Sequence, residues 1–165
     1  MNKIKIAIFG LGVVGSHVVK LLEKNKFNLN GSRFEIVAIG ARNKSKKRNF
    51  NVKKYQWISN FSDLEIYNKP DVIIETIGGT GTYINKLYSY CIKKGISLIT
   101  ANKAQLAEKG EKYFAHFDNQ KLYLGFEAAV LGAVPVVRTI EQSILPAKIK
   151  SIYGIFNGTT NYIIS

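Results

Sequence analysis

The feature that most constrains this chain is its beginning, where the apolar stretch KIKIAIF runs directly into the glycine-rich segment GLGVVG at residues 10–15. The stretch predicts a buried strand, and the apolar spacing that follows predicts a helix over residues 13–24. A strand that turns through G-x-G-x-x-G into a helix is typical of dinucleotide-binding sites. Gly10 permits the tight turn, Gly12 lets the backbone approach a pyrophosphate, and Gly15 lets the helix pack against the sheet.

The rest of the chain alternates short apolar strands with helices. Alternation at this spacing indicates βαβ units, so we predict an α/β fold with a Rossmann-type, doubly wound, mostly parallel sheet. A chain of 165 residues can bury one such core. The predicted strands are residues 3–9, 34–39, 71–76, 96–100, 121–126 and 149–155, and the predicted helices are residues 13–24, 83–94, 105–117 and 134–144.

Composition excludes several classes of protein. Hydrophobic residues make up 46% of the chain and charged residues 21%, which is typical of a globular protein. No apolar run approaches the roughly 20 residues of a membrane helix, and no signal peptide is recognisable, so we predict a cytoplasmic protein. The single cysteine, Cys91, excludes an internal disulfide and lies on the apolar face of a predicted helix. His17 and His116 are isolated, and we assign both to surface or packing roles.

The formal net charge is +13, and its densest part is residues 41–54, ARNKSKKRNFNVKK, which contain no acid. This block follows the second predicted strand, where an NAD-specific site has an Asp or Glu for the ribose 2′-hydroxyl. Arg42 stands there instead, which favours the 2′-phosphate of NADP(H) over NAD(H). A basic surface loop is the alternative. Nucleic-acid binding is disfavoured because the block lacks interleaved aromatic residues and lies at a cofactor-binding corner.

Two later segments carry polar groups in positions that suit ligand binding. TANK, residues 100–103, follows a predicted strand at the carboxyl edge of the sheet, where Lys103 is placed to contact a phosphate, a ribose or a carbonyl. A polar turn that starts a helix is the alternative. Glu127 is the only charge within residues 122–137, and a buried carboxylate must be paired, metal-bound or protonated. It would equally suit a cap on the following helix.

The motifs GLGVVG, DVIIETIGG, TANKAQLA, FEAAVLGAVPVVR and GIFNGTTNYI resemble homoserine dehydrogenase in order and spacing, over essentially the whole chain. The resemblance implies an NAD(P)-binding Rossmann domain at residues 1–147 and the first strand of a catalytic domain at residues 148–165. Members of the family are NAD(P)-dependent oxidoreductases that reduce L-aspartate 4-semialdehyde to L-homoserine, on the route to threonine and methionine.

The resemblance also implies roles for individual residues. Lys103 would assist catalysis, and Gly158 and Thr159 would contact the substrate. A monovalent cation, Na⁺ or K⁺, would be bound by Glu127 and by the backbone at Val130, Gly132 and Val134, although Leu131 and Ala133 stand where the family has glycines. The implied cofactor contacts are Gly10, Gly12, Val13, Val14, Gly15, Arg42, Thr76, Gly78, Thr100 and Lys103.

A further domain follows NGTTNYI in the family and supplies acidic substrate-binding residues and the lysine assigned as the main proton donor. We therefore expect this chain to be truncated, with little or no turnover of its own. The family forms homodimers mainly through that domain, so the oligomeric state stays open. The alternative function is a stand-alone NADP(H)-binding module or subunit without catalysis of its own.

Overall fold

The computed structural model describes residues 3–24, 28–29, 32–64, 69–132, 134–144 and 148–154. Within those residues the centre of the fold is a single sheet of seven strands. The strands are β1 (Lys3–Phe9), β2 (Asn28–Leu29), β3 (Ser32–Gly40), β4 (Gln56–Trp57), β5 (Val72–Glu75), β6 (Ser97–Thr100) and β7 (Leu124–Gly125).

Four α-helices accompany these strands in the part of the chain that the structure describes. They are α1 (Val13–Lys24), α2 (Thr82–Lys94), α3 (Lys103–Asn119) and α4 (Val136–Thr139), and a π-helical turn at Ile140–Ile144 continues α4. Single 3-10 turns occur at Val52–Lys54, Phe61–Asp63 and Glu127–Ala129. No described helix combines the length and the apolar character needed to cross a membrane.

The sheet has the strand order of a dinucleotide-binding fold. β1 pairs in parallel with β3 on one side and with β5 on the other, and β6 and β7 extend the sheet in parallel beyond β5. β4 runs parallel to the end of β3, and among the described strands only β2 is antiparallel. The winding reverses at β1, and ligands of such sheets bind outside the carboxyl ends of the strands at that reversal. The predicted α/β class and parallel sheet are confirmed.

The core has two layers because successive strand residues face opposite sides of the sheet. Ala7 and Phe9 of β1 pack in the layer beneath α2 and α3, which also contains Cys91. Ile6 and Ile8 pack in the layer beneath α1. The Cys91 side chain has no exposed surface, so the predicted burial of this thiol is confirmed.

Some predicted elements differ in extent. The predicted strand at 121–126 shrinks to β7 because the N–H groups of Lys121 and Leu122 bond to carbonyls at the end of α3 and cannot join a ladder. Residues 148–154 are irregular, so the strand predicted at 149–155 is wrong over its described part. β2 and β4 were not predicted, since two residues are too few to show an alternating pattern.

Candidate functional site

A cleft of about 920 Å³ opens at the carboxyl ends of β3, β1 and β5. The polypeptide leaves each of these strands through a different loop, and all three loops line the cleft. Its wall also includes the beginning of α2 at Gly81 and Tyr83. Because the strands are parallel, the position matches the ligand site of doubly wound sheets. Five of the predicted cofactor contacts line it, namely Gly10, Gly12, Arg42, Thr76 and Gly78.

The three glycines of GLGVVG meet different surroundings. A Cβ atom on Gly15 would lie 1.9 Å from the carbonyl oxygen of Gly10, so α1 can approach the first loop only because this side chain is absent. A Cβ on Gly10 would lie 2.5 Å from the carbonyl carbon of Thr76. A Cβ on Gly12 would have no protein atom within 4 Å, so the backbone there borders open space. The cleft therefore has room for a phosphate at Gly12.

Helix α1 begins at the edge of this space. Val13 and Val14 form its first turn, and their side chains are 79% and 56% exposed. The N–H groups of a first helical turn have no acceptor within the helix, and the positive end of the helix dipole points the same way. An anion beside Gly12 would accept hydrogen bonds from those N–H groups, and this arrangement is the one that binds a pyrophosphate.

Thr76 connects the end of β5 to the glycine loop. Its hydroxyl donates to the carbonyl oxygen of Gly10, and its own N–H donates to the carbonyl oxygen of Phe9 over 2.8 Å. A Cβ on Gly15 would also lie 2.6 Å from the Thr76 hydroxyl. The side chain thus holds the loop in place, while the residue itself lines the cleft.

The described residues of the cleft wall carry several positive charges and no negative one. Among the residues that line it, the side chains of Arg42, Lys44, Lys46 and Arg48 are cationic, and neither Asp nor Glu is present. Arg42 is exposed and follows β3 by two residues, at the corner where a 2′-phosphate is expected. The residues present therefore fit a phosphorylated dinucleotide.

Arg48 differs from its basic neighbours because it organises the loop that carries them. Its two Nη atoms donate to the carbonyl oxygens of Asn43, Lys44 and Lys46 over 2.6, 3.3 and 2.9 Å. The guanidinium carbon lies 5.1 Å from the ring centroid of Trp57. Burial lowers the pKa of Arg48, but an arginine starts so high that it remains charged at neutral pH. The basic block is therefore an ordered loop, in which the Arg48 guanidinium binds backbone carbonyl groups of the same loop.

A buried carboxylate lies directly beneath the β5 side of the cleft. Glu75, the last residue of β5, has no exposed surface. Its Oε1 accepts from the N–H groups of Ile77 and Gly78 over 2.6 and 2.9 Å. Its Oε2 accepts from the hydroxyls of Thr100 and Tyr88, which lie 2.7 and 3.3 Å away. Burial raises the pKa of Tyr88, so this phenol stays protonated and able to donate.

Within the segment TANK, Asn102 also contributes to the site, although no role was predicted for it. The Asn102 side chain accepts from the N–H of Gln105 over 3.1 Å, which caps α3, and donates to the carbonyl oxygen of Gly79 over 2.7 Å. Thr100 is buried and directs its hydroxyl to Glu75. Lys103 is exposed at the first position of α3, and neither it nor Thr100 lines the cleft. Their predicted cofactor contacts stay predictions.

Sequence reasoning missed both Glu75 and Asn102 as parts of this site. A signal for each is present: Glu75 is a lone acid at the end of the apolar run VII, and Asn102 precedes a helical pattern as a capping residue would. Gly158 and Thr159, the predicted substrate contacts, lie outside the described residues.

The segment that follows β7 is held by Glu127. Its Oε1 accepts from the N–H of Arg138 in α4 over 2.9 Å, so the carboxylate caps that helix. Leu131 adopts a left-handed φ of +47°, at a position where the family pattern has glycine. Within the described residues, no three His, Cys, Asp or Glu side chains are grouped so that they could hold a metal ion. The cation site predicted at Glu127, Val130, Gly132 and Val134 stays a prediction.

Comparison with known proteins identifies the relatives of this chain. A family model described as "Homoserine dehydrogenase, NAD binding domain" matches residues 10–126, and one described as "Homoserine dehydrogenase" matches residues 135–165. The homoserine dehydrogenase of Neisseria gonorrhoeae is 32% identical over 168 residues, which cover 100% of this chain and 38% of that protein. The Synechocystis enzyme is 34% identical over 166 residues, or 98% of this chain and 37% of that protein.

A solved structure gives the same result. The crystal structure of a homoserine dehydrogenase from Thiobacillus denitrificans superposes with a TM-score of 0.85 at 28% identity, and the match covers 100% of this chain and 38% of that one. This chain therefore spans just over a third of the length of these relatives, which are oxidoreductases by name. The coenzyme-domain match includes the glycine loop, the basic loop and the buried glutamate together, and the chain belongs to the homoserine dehydrogenase family.

Proposed function

We propose that this chain is the coenzyme-binding part of a homoserine dehydrogenase and that it prefers NADP(H) to NAD(H). The observation that carries the preference is the charge of the cleft wall, where the described lining residues include four cationic side chains and no carboxylate. An NAD-specific site holds the ribose 2′-hydroxyl with an acid, whereas a 2′-phosphate requires cations. Arg42, exposed at the end of β3, is the residue we assign to that phosphate.

The strand order suggests how a dinucleotide would lie. The loop after β1 is central, with Arg42 on the β3 side and Thr76 on the β5 side. Gly12 and the first turn of α1 would bind the pyrophosphate in the middle. The adenosine end would then extend toward Arg42, and the nicotinamide end toward Thr76 and Gly78.

The proposed reaction is the reduction of L-aspartate 4-semialdehyde to L-homoserine. When bound, reduced coenzyme supplies the hydride for such a step. The residues of this chain would bind and orient the nucleotide, and Lys103, exposed at the same edge of the sheet, would place a positive charge near an oxygen that becomes negative. The residues that we assign to this reaction do not include the main proton donor of the family.

A monovalent cation at Glu127 is a further part of the proposal, together with the backbone at Val130, Gly132 and Val134. Glu127 already accepts from Arg138 through Oε1, so an ion would contact its other carboxylate oxygen. We also propose a small-molecule substrate as the partner, without nucleic acid, and a cytoplasmic location.

Calorimetric titration with NADPH and NADH tests the coenzyme preference. Replacing Arg42 by alanine removes the cation assigned to the 2′-phosphate, so we expect NADPH affinity to fall by about tenfold or more and NADH affinity to change by less than about twofold. Lys112→Ala removes the same charge from an exposed position on α3 and serves as the control. Absence of binding heat for either nucleotide with the folded wild-type chain would contradict the proposed function.

A further inference from the structure

We infer, on the basis of the proposed function, that Glu75 and Asn102 are positioning residues for the coenzyme. Together they hold the turn at residues 77–79, which forms the β5 side of the cleft. Neither side chain lines the cleft, so each would act through the backbone of the turn. Their role would be to set where that backbone meets the nicotinamide end of the nucleotide.

The first support is the unusual placement of the Glu75 carboxylate. It is completely buried, and a buried charge is costly unless hydrogen bonds compensate for the lost water. Its Oε1 receives the N–H groups of two successive residues of the turn, Ile77 and Gly78. The carboxylate therefore fixes the direction of both peptide groups at the point where the chain leaves β5.

The second support is the anchoring of the carboxylate itself. Oε2 accepts from Thr100 of β6, and the Thr100 hydroxyl in turn accepts from the N–H of Asn102 over 3.0 Å. The hydroxyl oxygen of Tyr88, in α2, lies 2.8 Å from the hydroxyl oxygen of Thr100. Hydrogen bonds from β6 and α2 thus fix the position of the Glu75 side chain. That side chain then fixes the position of the turn.

The third support is that Asn102 binds the opposite end of the same turn, at Gly79. The side-chain amide donates to the carbonyl oxygen of Gly79 over 2.7 Å. Gly78 and Gly79 adopt φ values of +79° and +80°, a conformation that favours glycine. A Cβ on either glycine would meet no protein atom within 4 Å, so the turn presents bare backbone on the side away from Glu75. Such a surface allows close approach of a ligand.

The strand order provides a way to separate this role from general stability. Arg42 and the turn lie on opposite sides of β1. Adenosine 2′,5′-bisphosphate lacks the nicotinamide half, so it would contact Arg42 and the glycine loop but would not reach the turn. Loss of the turn geometry should weaken NADPH and spare this fragment. A loss of fold would weaken both.

The experiment uses two substitutions in the full chain. Asn102→Asp keeps an oxygen that caps α3 but removes the amide that donates to Gly79. Glu75→Gln places an amide against the Thr100 hydroxyl, which already accepts from Asn102, and so loosens the anchor. Asn119→Asp makes the same chemical change as the first variant at the exposed far end of α3 and is the control.

We expect NADPH affinity to fall by about tenfold in each test variant, with the affinity for adenosine 2′,5′-bisphosphate within about twofold of wild type. Asn119→Asp should bind both ligands as wild type does. Unchanged NADPH affinity in folded Asn102→Asp, or an equal loss for both ligands, would overturn the inference. If Glu75→Gln fails to fold, Asn102→Asp alone decides. A wild-type chain that binds neither ligand would instead overturn the proposed function.

Discussion

At the scale of single residues, Gly12 and Gly15 belong to one motif but meet opposite physical demands. The space beside Gly15 is filled by the carbonyl of Gly10, whereas the space beside Gly12 is open. Gly12 thus leaves room for a ligand, whereas Gly15 allows α1 to pack closely against the first loop. Substitution by alanine should separate these two roles.

We predict that Gly15→Ala lowers the free energy of unfolding by about 2 kcal/mol, because the new methyl group must displace backbone atoms. Gly12→Ala should change it by less than about 0.5 kcal/mol, since its methyl group meets no protein atom. It should nevertheless weaken NADPH binding by about tenfold or more. Chemical denaturation and calorimetry measure the two quantities. Equal loss of stability in both variants would contradict this distinction.

The two arginines of the basic block show how far residue-level prediction can reach. Arg42 and Arg48 are alike in the sequence, and only Arg42 was assigned a role. The structure leaves Arg42 exposed, while Arg48 binds three carbonyl groups and lies over Trp57. The stacking depends on β4, whose two residues give no periodic signal, so the sequence could not separate the two arginines.

At the scale of elements, α2 and α3 end in the same way but with different residues. In each, two N–H groups beyond the helix return to carbonyls of its last turn: Gly95 and Ile96 in α2, and Lys121 and Leu122 in α3. This motif needs one residue in the left-handed conformation, which glycine adopts without steric cost. Gly95 has a φ of +63°, and Lys121 is forced to +55°.

We predict that Lys121→Gly raises the free energy of unfolding by about 0.5–1 kcal/mol, since the steric cost of the left-handed lysine exceeds the entropy of the added glycine. Gly95→Ala should lower it by about 1 kcal/mol. Lys121→Ala removes the charge but keeps a Cβ, and it should gain no stability. Urea denaturation of the three variants measures these changes. A gain in the alanine variant equal to that of glycine would assign the effect to charge.

At the scale of the whole molecule, the fold class follows from the sequence better than the site does. The alternation of apolar runs with helical patterns correctly predicts the parallel sheet, with the glycine loop directly after its first strand. The contact from Glu75 to Thr100 joins residues 25 positions apart, and that from Thr76 to Gly10 joins residues 66 apart. Such contacts depend on which strands become neighbours, so a single sequence shows the residues without showing that they meet.

Cys91 offers a test of how the whole fold responds to its ligand. The thiol lies buried between α2 and the sheet, and burial raises its pKa, so little reactive thiolate is present. We predict that a thiol reagent labels the native chain only through unfolding. NADPH at 100 times its dissociation constant should then slow labelling about 100-fold. Labelling of glutathione in the same solutions is the control. Rapid labelling of the native chain, or a rate that NADPH does not change, would contradict the prediction.

Trp57 is the only tryptophan of the chain, and it lies in the wall of the cleft with the Arg48 guanidinium over its ring. Tryptophan fluorescence of this protein consequently originates at the wall of the cleft. Emission from that indole overlaps the absorption of reduced nicotinamide, so the pocket carries its own energy-transfer donor. Coenzyme occupancy becomes an optical quantity that requires no attached dye.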